Sequence, residues 1–129
     1  MSATRPYREN IGDRPLRRSR ATALSKARSL TGRGYGPRRV NQSLHAAGIG
    51  DEDGAAAREL AGTESVEAAL RYARRRRIGP FAAEPPDIAA RERALAAMIR
   101  AGHSFGMSKA ILALNPGESV DIEMLEEKL

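Results

Sequence analysis

Residues Arg28–Ile49 read RSLTGRGYGPRRVNQSLHAAGI, and the two glycine-marked breaks in this stretch decide the fold. Upstream, Ala23, Ala27 and Leu30 recur at i, i+4 and i+7, which predicts a helix over Ala21–Arg33. Gly34 falls where a helix ends in a left-handed residue, a conformation that costs glycine nothing. Gly36-Pro37 then restarts the chain, because proline suits the first helical position, where no N–H is needed. A second helix is expected over Pro37–Ala47 with Val40 and Leu44 as its apolar stripe. Gly48 closes it, and Ile49 supplies the apolar contact that follows such a cap.

The same grammar continues outward. Asp51-Glu52-Asp53 is an acidic helix start that complements the helix dipole. A short helix is expected over Ala55–Ala61, limited by Gly54 and Gly62. Thr63 is read as the N-cap of a helix reaching Arg77, with Val66, Ala69, Leu70 and Ala73 on one face. Residues 78–86, IGPFAAEPP, read as a linker, since Gly79, Pro80, Pro85 and Pro86 interrupt helix. Asp87 caps a helix from Ile88 to about Ala101, with Ile88, Leu95, Met98 and Ile99 sharing a face. Gly102 ends that helix and Ser104 caps the next, which reaches Leu114 with Phe105, Ile111 and Leu112 as apolar contacts. Asn115-Pro116-Gly117 is a turn, and a last short helix over Val120–Leu129 uses Ile122 and Leu125. Arg33-Gly34-Tyr35-Gly36 is echoed by Ala101-Gly102-His103-Ser104, and Leu44 and Leu112 lie equally far beyond their glycines. This echo points to tandem helical units that share a core by stacking.

Composition agrees with an all-α chain. Aromatics make up 4% of the 129 residues and Trp is absent, so alanine-lined helix contacts replace a broad core. Val, Ile, Thr, Tyr and Phe are scarce and do not alternate, which argues against a sheet. There is no cysteine, which removes disulfides and thiolate metal sites and fits a cytoplasmic protein. No apolar run approaches the ~18–20 residues of a membrane span. Charge is uneven. Residues 1–45 hold eleven Lys/Arg against Glu9 and Asp13, a net +9, whereas residues 46–129 hold eleven against fourteen acids, a net −3. Residues 1–20 lack periodicity and read as a disordered basic tail.

Catalytic chemistry finds little support. Gly102-His103-Ser104-Phe105-Gly106 matches the G-x-S-x-G string, but that motif needs a strand before the serine, and a helix precedes it here. His45 and His103 have no spaced carboxylates to share a metal with, and both read as surface or capping residues. Asp51-Glu52-Asp53 reads as a solvated helix start rather than a cation site. Gly32-Arg33-Gly34-Tyr35-Gly36 follows a helix rather than a strand, so it is no nucleotide-binding loop. No catalytic, cofactor-binding or metal residue is expected. The basic clusters stand out instead. Arg38 and Arg39 begin one helix just after Tyr35, and Arg71, Arg74, Arg75, Arg76 and Arg77 crowd the end of another. Cations suit a helix C-terminus, but four consecutive arginines exceed that need. Arginine pairs bidentately with phosphate or carboxylate, so Arg33, Tyr35, Arg38, Arg39, Arg71, Arg74, Arg75, Arg76, Arg77 and Arg100 are the candidate partner- and polyanion-binding residues.

Three segments, in order, resemble one family. RSLTGRGYGPRRVNQSLHAAGI (Arg28–Ile49) looks like the second repeat of the RecX regulatory proteins. AALRYARRRRIGPF (Ala68–Phe81) is similar to the start of their third repeat, and RERALAAMIRAGHSF (Arg91–Phe105) to their closing segment. The resemblance spans roughly residues 23–115, with the R-G-Y-G-P-R-R element its most specific part. It implies tandem three-helix repeats, divided as a disordered basic tail (1–22), a partial second repeat (23–62) and a third repeat (63–129). It also implies a monomer, without cofactor or membrane, that binds the RecA recombinase filament and mostly inhibits it, in the regulation of DNA repair, recombination and the SOS response. DNA would be reached mainly through that filament. Residues 1–22 match neither the family's first repeat nor its acidic D-D helix start, so the chain reads as shortened at its N-terminus, and residues 51–62 read as shortened too. Two other readings stand beside this one. One is a direct DNA-binding helix-turn-helix regulator using Pro37–Ala47, with Arg38, Arg39, Asn41 and Gln42 on its reading face. The other is a decayed, inactive fragment.

Overall fold

A computed structural model of the chain describes residues 4–129, with side chains from residue 18 onward. Among these residues the protein is all-α. The first helix, α1 (Thr4–Gly32), runs through the expected disordered tail, so residues 4–22 belong to a helix; residues 1–3 lie outside the described residues. There follow α2 (Pro37–Ala46), α3 (Asp51–Thr63), α4 (Ser65–Arg76), a 3₁₀ turn (Gly79–Phe81), α5 (Ile88–Arg100), α6 (Phe105–Leu112) and α7 (Ile122–Glu126).

The helix ends repeat one device. At Gly34 (φ 93°) the N–H bonds back to Thr31, and the next N–H, of Tyr35, reaches Leu30. Gly48 and Ile49 do the same onto His45 and Leu44, as do Gly102 and His103 onto Ile99 and Met98. These paired bonds satisfy carbonyls that a helix C-terminus otherwise leaves open. Arg77 takes the equivalent place at the end of α4 with φ 56°, and Ile78 completes the pair by bonding to Ala73. A left-handed arginine costs roughly 1–2 kcal/mol, so packing of Ile78 must hold it there. Helix starts follow the expected chemistry at Asp87, whose carboxylate accepts the Ala90 N–H at 2.7 Å, and at Ser104, whose hydroxyl accepts that of Met107 at 3.1 Å.

Two cores divide the chain. Ala23 and Ala27 of α1, Val40 and Leu44 of α2, Ile49, and Ala57 and Ala61 of α3 form the first. Val66, Ala69, Tyr72 and Ala73 of α4, Ile78, Met98, Ala101, Met107, Ile111, Leu112 and Leu125 form the second. Each fully buried Leu, Ile or Met contributes roughly 1.5–3 kcal/mol.

Several sequence expectations are corrected. Gly54 and Gly62 lie inside α3, which starts at Asp51 rather than Ala55. Gly54 is buried under the Arg58 side chain of the same helix, while Ala57 and Ala61 are buried in the first core. Thr63 ends α3 instead of capping α4; only Glu64 separates the two helices, and Ser65 Oγ donates to the Gly62 carbonyl at 2.8 Å. The expected linker is partly core, for Ile78, Gly79 and Pro80 are buried. Ile88 is 78% exposed, Phe105 53% and Ile122 49%, so these three are not the core contacts the periodicity suggested. Each is the first residue of its helix.

Candidate polyanion-binding site

The two echoed turns meet. The Gly36 N–H donates to the Ala101 carbonyl at 2.8 Å, and the Arg38 N–H donates to that of Gly102 at 3.1 Å. His103 Nε2 lies 2.8 Å from the Gly34 carbonyl; because a carbonyl only accepts, this nitrogen carries the proton. The imidazole is 1% exposed, which corrects the expectation of a surface or capping histidine. Burial pushes its pKa below the ordinary 6.5, and the bond to Gly34 partly opposes that. The contact is so close that a Cβ on Gly36 would stand 2.4 Å from the Gly102 carbonyl oxygen. One on Gly102 would stand 2.5 Å from the Arg39 nitrogen.

This joint aligns a set of arginines that are separated in the sequence. Beside it opens a groove of about 190 Å³ lined by Tyr35, Arg39, Tyr72, Arg76, Ala97, Arg100 and Ala101. The Arg39 guanidinium sits 4.8 Å from the centre of the Tyr35 ring, and that of Arg76 sits 5.3 Å from the Tyr72 ring. Such contacts contribute about 0.5–1 kcal/mol each at exposed sites. Arg39 Nη1 also reaches the Arg100 carbonyl at 3.5 Å, and the Tyr72 hydroxyl donates to the Ala97 carbonyl at 3.3 Å. Arg39, Arg76 and Arg100 are exposed, the lining holds no carboxylate, and none of the three is ion-paired among the described residues. Three positive charges thus face one depression without compensation.

The remaining candidates disperse. Arg71 donates to the Thr31 carbonyl at 3.2 Å and lies 3.8 Å from Glu67, so it ties α4 to α1. Arg33 turns back to Ser29 Oγ at 3.1 Å. Arg74 stacks on Phe81, 5.0 Å from the ring centre, and Arg75 lies beside Gly34. Arg77 is the exposed left-handed cap of α4. Arg38 lines a different cleft of about 340 Å³, with Pro37, Gly62, Ser65, Gly102, His103, Ser104, Met107 and Leu129. Sequence reasoning missed Tyr72 and His103. The first was findable, because Tyr72 precedes Arg76 by the same four residues that separate Tyr35 from Arg39. The second was not, since only the folded joint shows what an imidazole at that turn faces.

No family model matches the chain, and no solved structure matches it. Over 101 residues, 74% of its length, the chain is 39% identical to the "Regulatory protein RecX" of Myxococcus xanthus, and it spans about half (53%) of that relative. An identity of this size over three-quarters of the chain, with the segments Arg28–Ile49, Ala68–Phe81 and Arg91–Phe105 bearing the family's likeness in order, shows that the chain belongs to the RecX family.

Proposed function

We propose that the protein is a RecX-like regulator that binds the RecA recombinase filament and lowers its activity in DNA repair and recombination, by binding rather than by catalysis. The observation that carries this reading is the 39% identity to a regulatory protein RecX. The two cores support assigning α1–α3 to a second repeat and α4–α7 to a third, and the groove between the units offers the cationic surface that a nucleoprotein filament would meet. Among the described residues no helix is long and apolar enough to cross a membrane. We place the protein in the cytoplasm, where the filament forms, as a monomer without cofactor.

The helix-turn-helix alternative receives less support. Of its reading face, Asn41 accepts a bond from Arg58 at 3.0 Å, and Arg39 is engaged with Tyr35 and Arg100. The test is DNA-dependent ATP hydrolysis by RecA on single-stranded DNA. Stoichiometric addition of this protein is expected to slow hydrolysis, with co-purification of the two proteins. No change at excess overturns the regulatory reading.

A further inference from the structure

The joint borders a second depression, the cleft of about 340 Å³ that Arg38 lines, and its wall has a different chemistry from the arginine groove. Small-molecule sites run from roughly 300 to 1,000 Å³ and are mostly apolar, with a few polar groups that fix orientation. Pro37, Gly62, Gly102, Met107 and Leu129 make most of this wall apolar. Its two hydroxyls are already bonded: Ser65 Oγ donates to the Gly62 carbonyl at 2.8 Å, and Ser104 Oγ accepts the Met107 N–H at 3.1 Å. The His103 imidazole, also in the wall, is bonded to Gly34, and its burial disfavours the charged form. Arg38 is therefore the one charged side chain of the lining. It is exposed and meets no carboxylate among the described residues. Leu129, 67% exposed, is an apolar group that an occupant takes out of water.

One cation beside an apolar wall narrows the occupant by charge complementarity. A polyanion finds a single arginine where it needs several. An uncharged ligand leaves Arg38 without a partner, and a cation is repelled by it. An apolar body with one anionic head satisfies both parts of the wall, and a guanidinium matches a carboxylate bidentately. We infer that this cleft binds a small amphipathic monocarboxylate, its head on Arg38 and its apolar body against Met107 and Leu129. The wall also draws on both units. Pro37 and Arg38 begin α2 and Gly62 lies in α3, whereas Ser65 begins α4 and Met107 belongs to α6. A ligand that binds only the docked arrangement shifts the equilibrium towards it. The cleft is thereby a place where a small acid regulates how firmly the two units are joined.

The test uses the full chain, without RecA or DNA, and titrates three probes that share one alkyl chain: octanoate, octanol and octylammonium. Amide NMR shifts are expected to move at Arg38, Gly62, Gly102 and Ser104. Octanoate is expected to bind about tenfold more tightly than octanol, the effect of one charge-assisted bond, and octylammonium to bind least. Arg38→Gln, at an exposed position, is expected to abolish that preference while leaving octanol binding nearly unchanged. Gly62→Leu adds a side chain to the cleft wall where a Cβ meets nothing within 4 Å, and is expected to weaken all three probes. Saturating octanoate is expected to raise the melting temperature of the wild type by a few degrees, and that of Arg38→Gln by less. The proposal is overturned if octanoate and octanol bind equally, or if Arg38→Gln keeps the preference for octanoate. Acetate binding as tightly as octanoate would overturn it too, by showing a site for a simple anion. So would a wild-type dimer in sedimentation that Gly62→Leu disperses, which assigns the cleft to a second copy of the chain. Because RecA is absent, failure here leaves the filament reading standing, and failure of the ATPase test leaves this site standing.

Discussion

The two units solve the same packing problem with different materials. In α1–α3 four of seven core residues are alanine, with Ala57 and Ala61 of α3 packed in one cluster with Ala23 and Ala27 of α1. In α4–α7 the core holds Tyr72, Met98, Met107, Ile111, Leu112 and Leu125, long side chains that fill space by interdigitating. Their charges differ as well. Arg20 and Arg58 in the first unit meet the acidic start of α3, at 3.1 Å for Arg20–Asp53 and 3.8 Å for Arg58–Asp51. The arginine run that closes α4 meets aromatic faces instead, at Phe81 and Tyr72. In the first unit Arg20 and Arg58 are thus held by acids, whereas the arginines that close α4, like Arg39, lie against aromatic faces.

The largest test of this contrast is cavity formation. Leu44→Ala removes one of the few large side chains of the first unit, and its alanine neighbours sit too close to their backbones to move inward. A loss of about 4 kcal/mol is expected, against about 2 kcal/mol for Met98→Ala, whose flexible neighbours can relax into the space. Urea denaturation of both variants reads the order, and equal losses would remove the distinction between a rigid and an adaptable core. Next comes the joint. Gly36→Ala forces a Cβ onto the Gly102 carbonyl, which is backbone and cannot swing away, so about 3 kcal/mol is expected to be lost. Because neither core is touched, the calorimetric transition is expected to split in two; a single sharp transition at lower temperature would mean that the units do not fold independently.

How much of this was legible in the sequence depends on how local each cause is. Gly34, Gly48, Gly102, Asp87 and Ser104 act within one turn of themselves, and each was placed from its neighbours alone. Gly54 and Gly62 were misread as helix limits because low propensity, about 1 kcal/mol against alanine, is a local argument. In the folded chain Gly54 is covered by the Arg58 guanidinium, which bonds to Asn41, and Gly62 faces open space, and neither fact lies in the local window. Arg77 in the left-handed position was hidden for the same reason, since the buried Ile78 that holds it is a tertiary fact. The arginines were visible as candidates, ten positions with Tyr35, but their sorting into a groove at Arg39, Arg76 and Arg100 required the joint between two turns far apart in the chain.

The smallest effect is a pH dependence located at that joint. His103 binds a proton less readily in the folded chain than in the unfolded one. Below about pH 6.5 the unfolded chain takes up the proton first, so stability is complete above that value and declines as pH falls towards the lowered folded-state pKa. Thermal melts from about pH 7 down to about pH 5.5 are expected to show a decline of a few degrees, which His103→Gln flattens. An unchanged slope in that variant would place the titrating group in one of the units instead of between them.

The bond from His103 to Gly34 spans 69 positions, with the Gly36–Ala101 and Arg38–Gly102 bonds beside it, whereas the capping bonds within each turn close over a few residues. Contacts within a unit cost little chain entropy to form, and one between distant turns costs more. The expected order of folding is that each unit assembles first and docks last, beyond the main barrier. Substitutions at the joint then leave the folding rate nearly unchanged and accelerate unfolding. The lifetime of the docked state, more than its speed of formation, governs how long the arginines of the two units remain side by side.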